Sequence, residues 1–302
     1  MNIGFLGTGV MGAGMAARLL ATGATLAVWN RHRERAEPLV AQGARLAASP
    51  RDAADGVEAI VSMVADDPAS RAVWLGPHGA LAGAARGTIL IESSTLSPAW
   101  CEELAGAATE TGCSLLDAPV TGSKTQAASG ELRFLVGGSA DVVERARPIL
   151  AAMGRETLHL GPTGAGARMK LINNFVCGVQ AAALAEALAV IERAGLDRDT
   201  ALSILGTGAP GSPLVKAVAP RMATPDYTVN FGLALMHKDL SYALADAERL
   251  GVPLRTAASA RELYTAAIAQ GWGDSDFAAI VEPLRAAMRR GNEEREAAER
   301  KA

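Results

Sequence analysis

From residue 1 to about 160, short runs rich in β-branched and aliphatic residues alternate with Ala-rich segments of helical character. That alternation is the pattern of βαβ units around a mostly parallel sheet. It predicts strands over 3–6, 25–29, 59–63, 88–92, 114–117 and 133–137. Beyond Gly161-Pro162-Thr163-Gly164 the pattern turns helical nearly throughout, with breaks at 206–213, 224–225 and 251–253. The expected organisation is an α/β domain over 1–162 followed by an all-α domain over 163–302. The helix predicted from Gly166 to about Ala194 is long and Ala-rich, with turn residues only at its ends, so it is expected to span the join. The stretch 289–302 is almost wholly charged or small and reads as a solvated helix end or frayed tail.

Composition narrows the function classes. The 302 residues carry 29 Lys plus Arg and 32 Asp plus Glu, a net charge of −3, which argues against nucleic acid or an anionic membrane as the main partner. With 49% hydrophobic and 20% charged residues the chain has the balance of a folded protein. Cys101, Cys113 and Cys177 are odd in number and lack metal-ligand spacing, so neither a disulfide framework nor a metal site is expected. The first residues enter a strand without the features of a secretory signal. The longest apolar stretch, after Asn174, is interrupted by Gln180, Glu186 and Glu192. The expectation is a soluble cytoplasmic protein.

Three places carry candidate chemistry. Gly7-Thr8-Gly9-Val10-Met11-Gly12 matches G-x-G-x-x-G between a predicted strand and the helical run 13–20. One glycine permits the tight turn, the next lets a pyrophosphate approach the backbone, and the third lets helix and strand pack closely. The helix N-terminus then offers unpaired N–H groups to the phosphates. The N-terminal domain is therefore expected to be a Rossmann-type dinucleotide-binding domain. At the end of the second strand the chain reads Trp29-Asn30-Arg31-His32-Arg33. A carboxylate there would accept from an NAD ribose; Arg31, with Asn30 and Arg33 or Arg35, instead suits a 2′-phosphate, so NADP is favoured and NAD remains open.

The second place is 117–123, where Thr121, Gly122 and Ser123 can present N–H groups and hydroxyls to a carboxylate, the alternative being a polar turn that caps the next helix. The third is Lys170 and Asn174, four residues apart and so on one helix face, continued by Gly178, Ala181 and Ala185. A lysine beside a small apolar stripe can give a proton to a carbonyl oxygen; read alone, it is more often a solvated surface lysine.

Together these segments resemble the β-hydroxyacid dehydrogenase family. Gly4-Phe5-Leu6-Gly7-Thr8-Gly9-Val10-Met11-Gly12 is similar to its cofactor fingerprint, 117–123 to its substrate loop, 164–174 to its catalytic helix, and Lys238-Asp239-Leu240 to its late cofactor contact. The resemblance implies a catalytic Lys170 assisted by Asn174, a substrate carboxylate held by Thr121, Gly122 and Ser123, and further cofactor contacts at Met63, Val64, Pro68, Thr95 and Lys238. Ser123 stands where the family loop usually has glycine and Thr121 where it has serine; Lys124 resembles the semialdehyde reductase branch. Phe231 is expected to pack in the core and His237 to be structural. The implied reaction is NADPH-dependent reduction of a small aldehyde acid such as glyoxylate or succinic semialdehyde to a hydroxy acid, in a homodimer or homotetramer. The alternatives are a 3-hydroxyisobutyrate dehydrogenase, an imine reductase, and a non-catalytic dinucleotide-binding module.

Overall fold

A computed structural model describes residues 1–300; residues 301 and 302, the end of the expected charged tail, lie outside the described residues. The strands are β1 (Asn2–Leu6), β2 (Thr25–Trp29), β3 (Arg45–Leu46), β4 (Ala59–Ser62), β5 (Ile89–Glu92), β6 (Ser114–Asp117), β7 (Val120–Thr121), β8 (Leu132–Gly137) and β9 (Gly154–Gly161). The helices are α1 (Val10–Ala21), α2 (Glu37–Val40), α3 (Pro50–Ala53), α4 (Asp67–Leu75), α5 (Pro98–Glu110), α6 (Lys124–Ser129), α7 (Ala140–Met153), α8 (Ala165–Ala194), α9 (Arg198–Thr207), α10 (Pro213–Ala223), α11 (Leu233–Arg249), α12 (Arg255–Ala269) and α13 (Glu282–Glu299). The chain forms two compact units, Met1–Ile172 and Asn173–Ala302, which part within α8.

In the first unit the sheet runs β3-β2-β1-β4-β5-β6-β8-β7, with β9 beside β8. The pairs from β3 to β6 are parallel, as is β8 with β9, while β8 meets β6 and β7 antiparallel. β1 has β2 on one side and β4 on the other, so the strand order reverses there, the place at which open α/β sheets bind ligands beyond the strands' carboxyl ends. Register aligns the ends: Leu6 pairs with Trp29 and Ser62, Ser62 with Glu92, and Glu92 with Asp117. The segments leaving β1, β2, β4, β5 and β6 therefore start from one row. Alternation along each strand feeds two cores, with Phe5 and Val28 packing on Met15 and Leu19 on one face, and Leu6 and Leu90 on Trp74, Trp100 and Leu104 on the other.

All six predicted strands form, each within one residue of expectation at its ends. β3, β7 and β9 were not anticipated. β3 and β7 have two residues each, and β9 is a half-exposed strand with the sequence GRETLHLG, defined by pairing rather than by burial. α1 begins at Val10, three residues before the predicted run, because the helix starts inside the glycine motif with Gly9 as its N-cap.

In the second unit the later part of α8 packs with α10, α11 and α12 around Ala181, Ala185, Leu188, Met222, Leu240 and Tyr264. A Cβ on Gly178 would lie 3.0 Å from Met236 Sδ and 3.3 Å from Leu240 Cδ1, so the small-residue stripe is where α11 approaches α8. By length and composition α8 could cross a bilayer, contrary to the sequence reading, with a mean hydropathy of 1.7 over its most apolar window; half of that window is buried in the protein. The expected breaks are present as 208–212, 224–232 and 250–254, with α9 running through Gly206.

The segment that leads into α11 is anchored by Asp276. Its fully buried carboxylate accepts from the Asn230 and Phe231 N–H groups at 2.8 and 3.0 Å and from Ala278 N at 3.0 Å, and pairs with Arg221 at 2.8 Å. Removing one partner of a buried pair strands the other, so Asp276→Ala is expected to lose about 3–5 kcal/mol of stability in urea denaturation. A loss below ~1 kcal/mol would show that the pair does not anchor the unit.

Candidate active site

The glycine turn follows the end of β1. Gly7 has φ +95°, and a Cβ there would lie 2.3 Å from Met63 O, so only glycine fits. A Cβ on Gly12 would lie 1.9 Å from Gly7 O, whereas one on Gly9 would meet nothing within 4 Å. Gly9 leaves the first turn of α1 without a side-chain cap or an acidic residue, and Val10 is 61% exposed there. Among the described residues, the buried Thr8 hydroxyl has no hydrogen-bond partner. An uncapped helix start, open space over Gly9 and an unsatisfied hydroxyl fit a dinucleotide pyrophosphate. Met11 is part of the same first turn and half-buried. Asn30 accepts from Thr8 N at 3.0 Å and donates to His32 O at 2.8 Å, so its amide ties the turn to the tip of β2. Arg31 is exposed at that tip, followed by exposed Arg33 and Arg35.

The segments after β4 and β5 are tied to each other. Val64 N donates to Ser94 Oγ at 2.7 Å. Glu92, at the end of β5, is buried and accepts from Ser70 Oγ at 2.6 Å, Trp74 Nε1 at 2.7 Å and Ser94 N at 2.9 Å. Burial pushes its carboxyl above the ordinary carboxylate range, and these donors oppose the shift. Met63, Val64 and Thr95 are half-buried on these segments, and Pro68 is exposed in the first turn of α4. In the sequence Glu92 is marked only as a carboxylate closing the apolar run Ile89-Leu90-Ile91.

In the segment after β6 the helix cap read at 117–123 is present. Ser123 is the N-cap of α6, in a capping box with Gln126. Its hydroxyl donates to Gln126 Oε1 at 2.5 Å. Gly122 has φ +125°, and a Cβ there would meet Leu132 at 2.9 Å. The Thr121 side chain, half-buried, makes no hydrogen bond among the described residues. Asp117 is buried at the head of this segment; its Oδ1 accepts from Gly164 N and its Oδ2 from Ala167 N, both at 2.8 Å. Burial pushes its pKa up to about 6.

Lys170 is half-buried on α8, and Asn174, 5% exposed, follows one turn later. Asn174 Nδ2 donates to Asp239 Oδ2 at 2.6 Å, and its Oδ1 accepts from Asn173 Nδ2 at 3.0 Å, so both ends of the amide are oriented. Lys238 Nζ lies 2.9 Å from Asp239 Oδ1 and 4.9 Å from the Tyr242 ring centroid. Asp239 is 1% exposed and joins Asn174 to Lys238; its signal was an acidic residue on the buried stripe of α11 with Met236, Leu240 and Ala243. Phe231 packs edge-on against Phe277 at 5.9 Å, as expected of a core residue. His237 pairs with Thr265 Oγ1 at 3.1 Å. The first unit thus brings Gly7–Gly12, Asn30, Arg31, Met63, Val64, Thr95 and Thr121–Ser123 to the carboxyl edge of its sheet, and the second gathers Asn174, Lys238 and Asp239.

Comparison with known proteins identifies the family. Residues 2–161 match the family described as the NAD-binding domain of 6-phosphogluconate dehydrogenase, and residues 164–284 that described as the NAD-binding of NADP-dependent 3-hydroxyisobutyrate dehydrogenase. The chain is 36% identical over 290 residues to glyoxylate/succinic semialdehyde reductase 2 of Arabidopsis thaliana, covering 96% of this chain and 81% of that protein. It is 37% identical over 284 residues to 3-sulfolactaldehyde reductase of Escherichia coli, covering 94% and 95%. The crystal structure of 3-hydroxyisobutyrate dehydrogenase from Salmonella typhimurium superposes with a TM-score of 0.86 at 31% identity, covering 93% of this chain and 99% of that one. The protein is an NAD(P)-dependent oxidoreductase acting on CH–OH groups and belongs to the β-hydroxyacid dehydrogenase family.

Proposed function

We propose that this protein reduces small aldehyde acids, of the class of glyoxylate and succinic semialdehyde, to hydroxy acids with NADPH, and that Lys170 supplies the proton. The observation that supports this most is the placement of Lys170: half-buried, one turn before an oriented buried amide, on a helix whose start is bonded to the head of the 117–123 segment. When bound, the reduced nicotinamide supplies the hydride.

The chain's own residues do the rest. The Gly7–Gly12 turn and the start of α1 hold the pyrophosphate, with Met63, Val64, Pro68 and Thr95 on neighbouring segments of the same unit. Arg31 takes the 2′-phosphate. The Thr121 hydroxyl and the backbone around Gly122 hold the substrate carboxylate, Ser123 acting mainly through its cap on α6. The Lys170 ammonium donates to the carbonyl oxygen, stabilises the negative charge that develops on it, and then gives up the proton as the hydroxyl forms. Asn174, oriented by Asp239, positions the substrate and the lysine.

A panel of glyoxylate, succinic semialdehyde and 3-hydroxyisobutyrate, each assayed with both nicotinamide cofactors in the matching redox state, tests this reading. The expected result is turnover of an aldehyde acid with NADPH. The 31%-identical 3-hydroxyisobutyrate dehydrogenase structure motivates the second reading, which turnover of 3-hydroxyisobutyrate alone would establish in its place. Arg31→Ala is expected to raise KM for NADPH about tenfold with little change for NADH, the size of one charge-assisted hydrogen bond. An equal change for both cofactors would remove Arg31 from 2′-phosphate recognition.

A further inference from the structure

We propose that Asp117 is a positioning residue for the reduction: by holding the first turn of α8 it sets Lys170 relative to the segment that takes the substrate carboxylate. The inference rests on the reading of Lys170 as proton donor.

Asp117 is the last residue of β6, and its backbone is fixed by pairing with Glu92 in the middle of the sheet. Its two oxygens take separate N–H groups, Gly164 and Ala167, at 2.8 Å each. Those N–H groups belong to the start of α8, where an α-helix has donors that its own turns cannot satisfy. The residue just before the helix is Gly164, which has no side chain to cap it. A carboxylate from another element does the capping, at sequence separations of 47 and 50 residues.

The surroundings are built for that reach. A Cβ on Gly137 would lie 2.4 Å from Asp117 Oδ1, and one on Gly166 would lie 2.6 Å from Asp117 O. Missing side chains on two neighbours let strand end and helix start come together. Burying a carboxylate is costly, and the positive end of the helix offsets only part of that cost. A serine or threonine at the helix start would cap it without burying a charge. The acid at the strand end does what such a local cap cannot: it couples two elements. Lys170 follows Ala167 by three residues, less than one turn, and Thr121 follows Asp117 by four. One side chain therefore links the proton donor and the carboxylate-binding segment through two short, stiff connections.

The test compares wild type, Asp117→Asn and Lys170→Ala in one assay of aldehyde-acid reduction, with NADPH affinity measured by fluorescence titration. Asparagine keeps the shape and one acceptor but loses the charge and the second acceptor. The expected result is that Asp117→Asn binds NADPH within about twofold of wild type while its kcat falls about tenfold or more. A role confined to stability would lower the melting temperature and leave kcat of the folded enzyme unchanged, and that result overturns the proposal. If Asp117→Asn does not fold, Asp117→Glu, which keeps both carboxylate oxygens on a longer stem, is read against the same two outcomes. Wild-type turnover in Lys170→Ala overturns the proton-donor reading and this inference with it. An inactive Lys170→Ala beside an unimpaired Asp117→Asn overturns the positioning role alone.

Discussion

Lys170→Ala is expected to lower kcat for aldehyde-acid reduction by about three or more powers of ten, because in the proposed mechanism the substitution removes both the general acid and the charge facing the developing oxyanion. NADPH affinity should stay near wild type, since the Gly7–Gly12 turn and the start of α1 belong to other elements. Lys170→Arg separates the two contributions. Arginine keeps a positive charge but cannot release a proton near neutral pH, so that variant should recover only part of the loss. Added small primary amines should restore part of the activity of Lys170→Ala if the missing group is an ammonium. Steady-state absorbance of the reduced cofactor measures all three, and unchanged turnover in purified, folded Lys170→Ala would remove the lysine from the chemistry.

The glycine turn yields the second large effect and a clean internal contrast. A Cβ on Gly9 meets nothing within 4 Å, so Gly9→Ala leaves the folded protein undisturbed. The space it fills is the space a pyrophosphate needs over the helix start. NADPH affinity should therefore fall about tenfold or more while the melting temperature stays within about 2 °C of wild type. At Gly12 the order reverses. Its Cβ would stand 1.9 Å from Gly7 O and 3.2 Å from the Phe5 ring, so Gly12→Ala distorts the turn itself and loses both stability and binding. Differential scanning fluorimetry with and without NADPH reads both variants. A Gly9→Ala protein that binds NADPH as well as wild type would place the pyrophosphate elsewhere.

What the sequence made legible follows from what each element depends on. The six buried strands and the glycine turn are local patterns, an apolar run or a spacing of small residues, and they were readable in place. β9 was not, because its half-exposed residues carry no apolar run and its strand character comes from pairing with β8, which lies more than a helix away in sequence. The same distinction divides the site. Lys170, Asn174 and the 121–123 loop were visible as motifs, but what fixes them was not. Asp117 acts on Gly164 and Ala167, and Asn174 meets Asp239 65 residues later. Glu92 gathers Ser70 and Trp74 from the preceding helix. Asp117, Asp239 and Glu92 are buried carboxylates whose partners only folding supplies. Asn30 stands in sequence as a partner of Arg31 for phosphate, and its amide also accepts from Thr8 N and donates to His32 O, contacts that spacing alone does not show.

The most direct measurement follows hydrogen from cofactor to product. NADPH carrying deuterium at both C4 positions is incubated with the wild-type enzyme and glyoxylate or succinic semialdehyde, and the product is examined by mass spectrometry and NMR. The account predicts a hydroxy acid with one deuterium on the carbinol carbon for each NADPH oxidised, and almost none in the same time with Lys170→Ala. Oxidation of the cofactor without labelled hydroxy acid, or no reaction with any aldehyde acid, would contradict it.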